Sequence, residues 1–140
     1  MARQVRELMN KQPIKLASSS PIAEAARRMR DGNVGAVLVE DGGMMCGIVT
    51  DRDIAVRAVA QGRDPRTTPL SEICSKDLTT LSPDDDLDRA VQVMREKAIR
   101  RVPVVDARKQ PVGILSLGDL ALELDARSVL GQISAAPPNQ

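Results

Sequence analysis

The 140-residue sequence predicts an α+β protein built from two β-α-β-β-α repeats packed about a pseudo-two-fold axis. Three observations lead there. First, the chain repeats itself: displaced by 65 positions, Ile22, Ala25, Ala26 and Met29 fall on Leu87, Ala90, Val91 and Met94. Second, both sets have the spacing i, i+3, i+4, i+7, the buried stripe of an amphipathic helix. Third, each stripe is followed by two short runs of strand formers: Val37-Leu38-Val39 and Gly47-Ile48-Val49-Thr50, then Val102-Pro103-Val104-Val105 and Gly113-Ile114-Leu115-Ser116.

The elements follow in order. Met1 to Leu8 is a charged helical lead-in. A short strand is expected near Ile14 to Leu16 and again near Thr79 to Leu81. Ser20-Pro21 and Ser82-Pro83 each offer an N-cap with proline at the first helical position. Asp84-Asp85-Asp86 then suits a helix start, where acidic groups meet the positive end of the dipole. After the second strand come the turns Glu40-Asp41-Gly42-Gly43 and Asp106-Ala107-Arg108-Lys109. One inserted residue moves the offset to 66, and Asp53 and Asp119 open the last helix of each copy. Neither copy has enough strand to bury both its helices, so the two are expected face to face, with a shared core and two clefts. The boundaries read as repeat one over 1–62, a linker over 63–70, repeat two over 71–134 and a disordered tail over 135–140.

Composition narrows the function. Twenty basic and 19 acidic residues leave a net charge of +1, which argues against a nucleic-acid binder with its basic face. No stretch approaches the roughly 20 apolar residues of a membrane span, and the charged N-terminus does not read as a signal peptide, so a cytoplasmic location is expected. Histidine is absent, which excludes Ser-His-Asp, Cys-His and His-metal chemistry on this chain. Cys46 and Cys74 match no zinc or redox spacing and read as buried small hydrophobes. Phe, Tyr and Trp are also absent, so no ring can stack on a ligand base. The Asp84–Asp86 run is better explained by the helix dipole than by a metal.

The pattern of Ala25 and Met29 followed by Gly47-Ile48-Val49-Thr50-Asp51-Arg52-Asp53 resembles the CBS domain. It recurs as Ala90 and Met94, Val102-Pro103-Val104-Val105-Asp106 and Gly113-Ile114-Leu115-Ser116-Leu117-Gly118-Asp119. The chain is most similar to the free-standing tandem CBS pairs (Bateman modules). The resemblance implies a sensor that binds an adenosine-containing ligand, such as AMP, ADP, ATP or S-adenosylmethionine, in clefts between the repeats. By the same resemblance Asp53 and Asp119 take the ribose, and Thr50 and Ser116 lie near the ribose or phosphate. Arg100 and Arg101 face phosphate, and the segments at Ile14-Lys15 and Thr79-Thr80 offer backbone groups to adenine. It implies a homodimer as well, with output through a partner protein, and neither catalysis nor an obligatory cofactor.

Other readings stand beside these. Thr50-x-x-Asp53 and Ser116-x-x-Asp119 are also capping boxes. Arg100 and Arg101 suit the C-terminal end of the preceding helix, and Arg27, Arg28 and Arg30 read as a solvent face or dimer rim. Met44-Met45 reads either as a partner surface or as strand-end packing. Copy one has Gly35-Ala36 where copy two has the arginines, and Leu38 where copy two has Pro103, so the clefts are expected to differ. A ligand-independent interaction module with vestigial clefts remains the alternative.

Overall fold

The computed structural model describes residues 3–76 and 78–124. It is a mixed α+β fold carrying the repeat twice. The first copy runs β1 (Lys15–Ala17), α1 (Ile22–Gly32), β2 (Ala36–Asp41), β3 (Met44–Thr50) and α2 (Asp51–Asp53), which continues as a π-helical turn over Ile54–Val59. The second runs α3 (Leu87–Lys97), β4 (Arg101–Val105), β5 (Pro111–Ser116) and α4 (Leu117–Leu124). Strands β1 and β2 pair parallel, β2 and β3 antiparallel, in the order β1-β2-β3. Strands β4 and β5 form an antiparallel pair.

The chain divides into two compact units whose limits differ from those of the sequence repeat. Residues 13–79 form one. The other joins residues 80–124 to the lead 3–12, more than sixty positions upstream. In this second unit Val5 is fully buried in a cluster with Leu81, Leu87, Ala90, Val93, Met94, Val102, Val104, Leu115 and Leu120. The backbone N–H groups of Val5 and Arg6 donate to Asp85 and Pro83, and Asn10 exchanges two bonds with Ile114 (2.8 and 3.1 Å). Arg3 and Arg6 add ion pairs to Glu123 and Asp84. In the first unit the equivalent stretch, Leu70 to Cys74, packs with Ile22, Ala25, Met29, Val37, Val39 and Val49. The expected linker 63–70 is part of this packing: Ile22 and Ala23 donate to the carbonyls of Thr68 and Pro65. The expected tail 135–140 lies outside the described residues.

Several local expectations need correction. In α1 the stripe is Ile22, Ala25 and Met29, with Ala26 exposed; in α3 Val93 joins Leu87, Ala90 and Met94 in the core while Val91 is half-buried. The N-caps are Pro21, without a side-chain cap, and Asp86, whose Oδ1 accepts from Arg89 N–H at 2.8 Å. Ser82-Pro83 instead forms a turn ahead of α3, because Asp85 takes the Ser82 N–H (2.8 Å) and the Pro83 carbonyl is drawn to the lead. The lead itself is only a 3-10 turn, Val5–Glu7. The strand near Thr79 to Leu81 shrinks to one parallel bridge, Leu81 to Val104, since that turn follows at once. Helices α1 and α3 both end in a left-handed residue, Asn33 (φ 53°) and Ala98 (φ 54°). The second is strained, because alanine lacks the side chain that lets asparagine tolerate this region.

A bulge recurs too. Register shifts between Val39 and Glu40 opposite Cys46, and between Val104 and Val105 opposite Val112. The next residue is glycine in both copies. A Cβ on Gly47 would lie 2.7 Å from the Ser75 carbonyl oxygen, and one on Gly113 would lie 2.8 Å from that of Asn10. Each glycine lets a lead segment lie directly on its strand.

Candidate functional site

The Thr/Ser-x-x-Asp motifs sit where the last strand of each repeat turns into a helix. In the first repeat Thr50 N–H donates to Asp53 Oδ2 (2.8 Å), the Thr50 hydroxyl donates to the same oxygen (3.0 Å), and Asp53 N–H donates to Thr50 Oγ1 (3.2 Å). In the second, Ser116 N–H donates to Asp119 Oδ2 and Asp119 N–H to Ser116 Oγ, both at 3.1 Å. Both corners are therefore reciprocal capping boxes. They fix two half-buried carboxylates in the same local geometry, each with Oδ2 committed to the cap.

The strand beside each corner is held the same way. Arg101 faces Ser116 across the β4–β5 ladder, and Leu117 N–H donates to the Arg100 carbonyl at 2.7 Å. Ala36 faces Thr50 across β2–β3, and Asp51 N–H donates to the Gly35 carbonyl at 3.0 Å. The fold thus brings Arg100, Arg101, Ser116 and Asp119 to one strand end, while the first repeat offers the same backbone without the arginines. Arg100 is exposed and borders an apolar groove of about 530 Å³ lined by Val91, Met94, Ile99, Leu117 and Leu120.

The remaining predicted residues are placed less directly. The Ile14 carbonyl accepts from Leu38 N–H at 2.8 Å, so the sheet already uses it, and Lys15 is exposed on β1. Thr79 and Thr80 are half-buried, outside any strand, and belong to different units.

One residue at the first corner escaped the sequence reading. Arg57 stands four positions after Asp53, with Nε 3.7 Å from Asp53 Oδ1 and Nη1 donating to the Ile73 carbonyl at 3.4 Å. Its spacing from Asp53 was the available signal.

Cys46 and Cys74 are free thiols, Cys46 half-buried and Cys74 buried with Sγ 3.9 Å from the Ser71 carbonyl. Burial pushes both thiols above their ordinary pKa. The nucleophilic thiolate is therefore scarce at neutral pH. Iodoacetamide should label both more slowly in native buffer than in denaturant, Cys74 the slower, with native rates rising only above the usual thiol range; mass spectrometry of timed samples checks this.

Among the described residues no helix is long and apolar enough to cross a membrane. The family model for the CBS domain matches the sequence twice, over residues 5–59 and 70–126. The CBS domain-containing protein YhcV of Bacillus subtilis is 44% identical over 118 residues, covering 84% of this chain and 83% of YhcV. Hypoxic response protein 1 of Mycobacterium tuberculosis is 28% identical over 131 residues, covering 93% of this chain and 91% of that protein. Among solved structures, the CBS domain pair of protein MJ0100, in complex with 5'-methylthioadenosine and S-adenosyl-L-methionine, superposes with a TM-score of 0.83 at 29% identity, covering 91% of this chain and 100% of that one. With two matched stretches spanning most of its length and the duplicated strand-to-helix corners in place, the chain belongs to the CBS-domain family, of which it carries two tandem copies.

Proposed function

We propose that this CBS pair is a cytoplasmic regulatory module, without catalytic activity of its own, that binds an adenosine-containing ligand at the Thr50/Asp53 and Ser116/Asp119 corners. The observation that carries the reading is the retention of one hydroxyl-carboxylate pair, held in one geometry, in two repeats that differ at most other positions. In each pair Oδ2 is taken by the cap, so the ribose diol falls to Oδ1, with the Thr50 or Ser116 hydroxyl beside it. Arg100 and Arg101 supply cations for phosphate, which a guanidinium can grip with two parallel bonds. Ile14-Lys15 and Thr79-Thr80 are the segments proposed to meet the adenine edge. The adenosyl ligands of the MJ0100 pair support the ligand class.

The output would pass through a homodimer or a partner protein. A ligand can drive such an output only if it prefers one arrangement of the repeats over another. A thermal-shift panel of AMP, ADP, ATP, S-adenosylmethionine and NAD tests the proposal. A bound ligand at about 100 times its Kd should add roughly 2.7 kcal/mol of stability. The double change Asp53→Ala/Asp119→Ala should abolish that gain, and losing the acidic half of each capping box should cost at most about 1 kcal/mol in addition, because the Thr50 and Ser116 hydroxyls still accept from the backbone. Retained affinity in the double variant overturns the ribose assignment. No shift from any nucleotide favours the ligand-independent interaction module, a reading to which Gly35-Ala36 and the caps themselves lend support.

A further inference from the structure

We infer that Arg57 is the phosphate-recognising residue of the first corner, standing in for the arginine pair that the first repeat lacks. The inference rests on the adenosyl reading above and adds to it a residue outside the Thr/Ser-x-x-Asp motif, one that has no counterpart in the second repeat.

The two repeats place their positive charge differently. At the strand start the second repeat has Arg100-Arg101 and the first has Gly35-Ala36. Four residues after the motif aspartate the order reverses: the first repeat has Arg57 and the second has Glu123, which is ion-paired to Arg3 of the lead. The local backbone differs at the same point. Past Asp53 the chain runs as a π-helix over Ile54–Val59, closed by Ala60 N–H to the Ala55 carbonyl at 3.0 Å, whereas the second repeat continues as the α-helix α4. Single π-helical turns are rare and frequently lie at functional sites.

Arg57 is aimed at the carboxylate oxygen that the cap leaves over. Asp53 Oδ2 holds Thr50, and the guanidinium lies 3.7 Å from Oδ1. The grip is loose. The contact is long, the second bond, to Ile73, is 3.4 Å, and the Arg57 side chain is 52% exposed, against 16% for Asp53. An exposed i,i+4 pair of this sort contributes little to stability, so the guanidinium can move at small cost. A ribose hydroxyl taking Oδ1 would release Arg57, and a phosphate on the same ligand would offer it a dianion in exchange. A neutral nucleoside would make the same demand on Asp53 and give Arg57 nothing. The first corner is thereby selective for a nucleotide over its nucleoside.

The test is calorimetric titration with AMP and with adenosine, in the Asp119→Ala background so that only the first corner reports. Arg57→Gln should weaken AMP by about tenfold or more and leave adenosine unchanged or slightly tighter, while Arg57→Lys should keep part of the AMP affinity. Equal weakening of both ligands, or of neither, overturns the inference, as does failure of the Asp119→Ala protein to bind AMP when the wild type does. Binding of neither ligand by the wild type instead overturns the adenosyl reading itself. Thermal melts of each variant, expected to match the Asp119→Ala parent, separate these results from a folding defect.

Discussion

Deletion of residues 2–11 should unfold the unit that contains the second repeat, although the cut lies some seventy residues from its nearest helix. The lead supplies Val5 to the centre of that core, and Leu8 and Met9 pack against it. Burying one aliphatic side chain contributes about 1.5–3 kcal/mol. The deletion also removes backbone bonds to Pro83, Asp85 and Ile114, each contributing about 1 kcal/mol net, and leaves their partners to find water. A total of about 5 kcal/mol or more is comparable with the whole stability of a small domain. Urea unfolding should show a lower midpoint, and hydrogen exchange should show lost protection at Val102, Val104 and Leu115, with Val37, Val39 and Val49 retaining theirs. Unchanged protection in β4 and β5 would mean that the lead only decorates the unit.

The second large effect is expected at two glycines. In Gly47→Ala the new methyl would stand 2.7 Å from a backbone oxygen and 2.9 Å from Cys74 Sγ; in Gly113→Ala it would meet Met9 Sδ at 2.7 Å and the Asn10 oxygen at 2.8 Å. Met9 can swing away, but a carbonyl oxygen can retreat only by moving its segment. That would pull apart the paired bonds between Ile48 and Ser75 and between Asn10 and Ile114. Overpacking of this kind costs about 1–3 kcal/mol. Gly118→Ala is the control, because its Cβ would meet only Ser116 Oγ at 3.7 Å. Alanine there should stabilise α4 by up to about 0.8–1 kcal/mol. Thermal melts of the three variants give the comparison, and equal melting temperatures would overturn the close-approach account.

The stripes and strands were legible because burial imposes a period on sequence, and Ile22, Ala25 and Met29 display it without help from the rest of the chain. The helix starts were less so. Asp86 outcompetes Ser82 as a cap for α3, and the repeat itself held the clue, since Pro21 and Asp86 are equivalent at the 65-residue offset. The exchange of leads could not be read at all. Val5, Leu8 and Met9 stand in register with Leu70, Ile73 and Cys74, so either lead presents the same apolar pattern to either repeat. Only three-dimensional packing decides between them. At the candidate site both capping boxes were legible from spacing alone. Arg57 was signalled only by its four-residue spacing from Asp53, and the π-helical turn that sets its direction is announced by no residue type.

The exchange of leads also bears on how the chain comes off the ribosome. Residues 13–79 form a contiguous unit, so its contacts are all available once that stretch has emerged. Val5, Leu8 and Met9 precede it, yet their partner strand β5 is made about a hundred residues later. At roughly 5–20 residues per second, that lead waits about 5–20 s for the surface it belongs to. Until then Val5, Leu8 and Met9 lack the native surface that covers them.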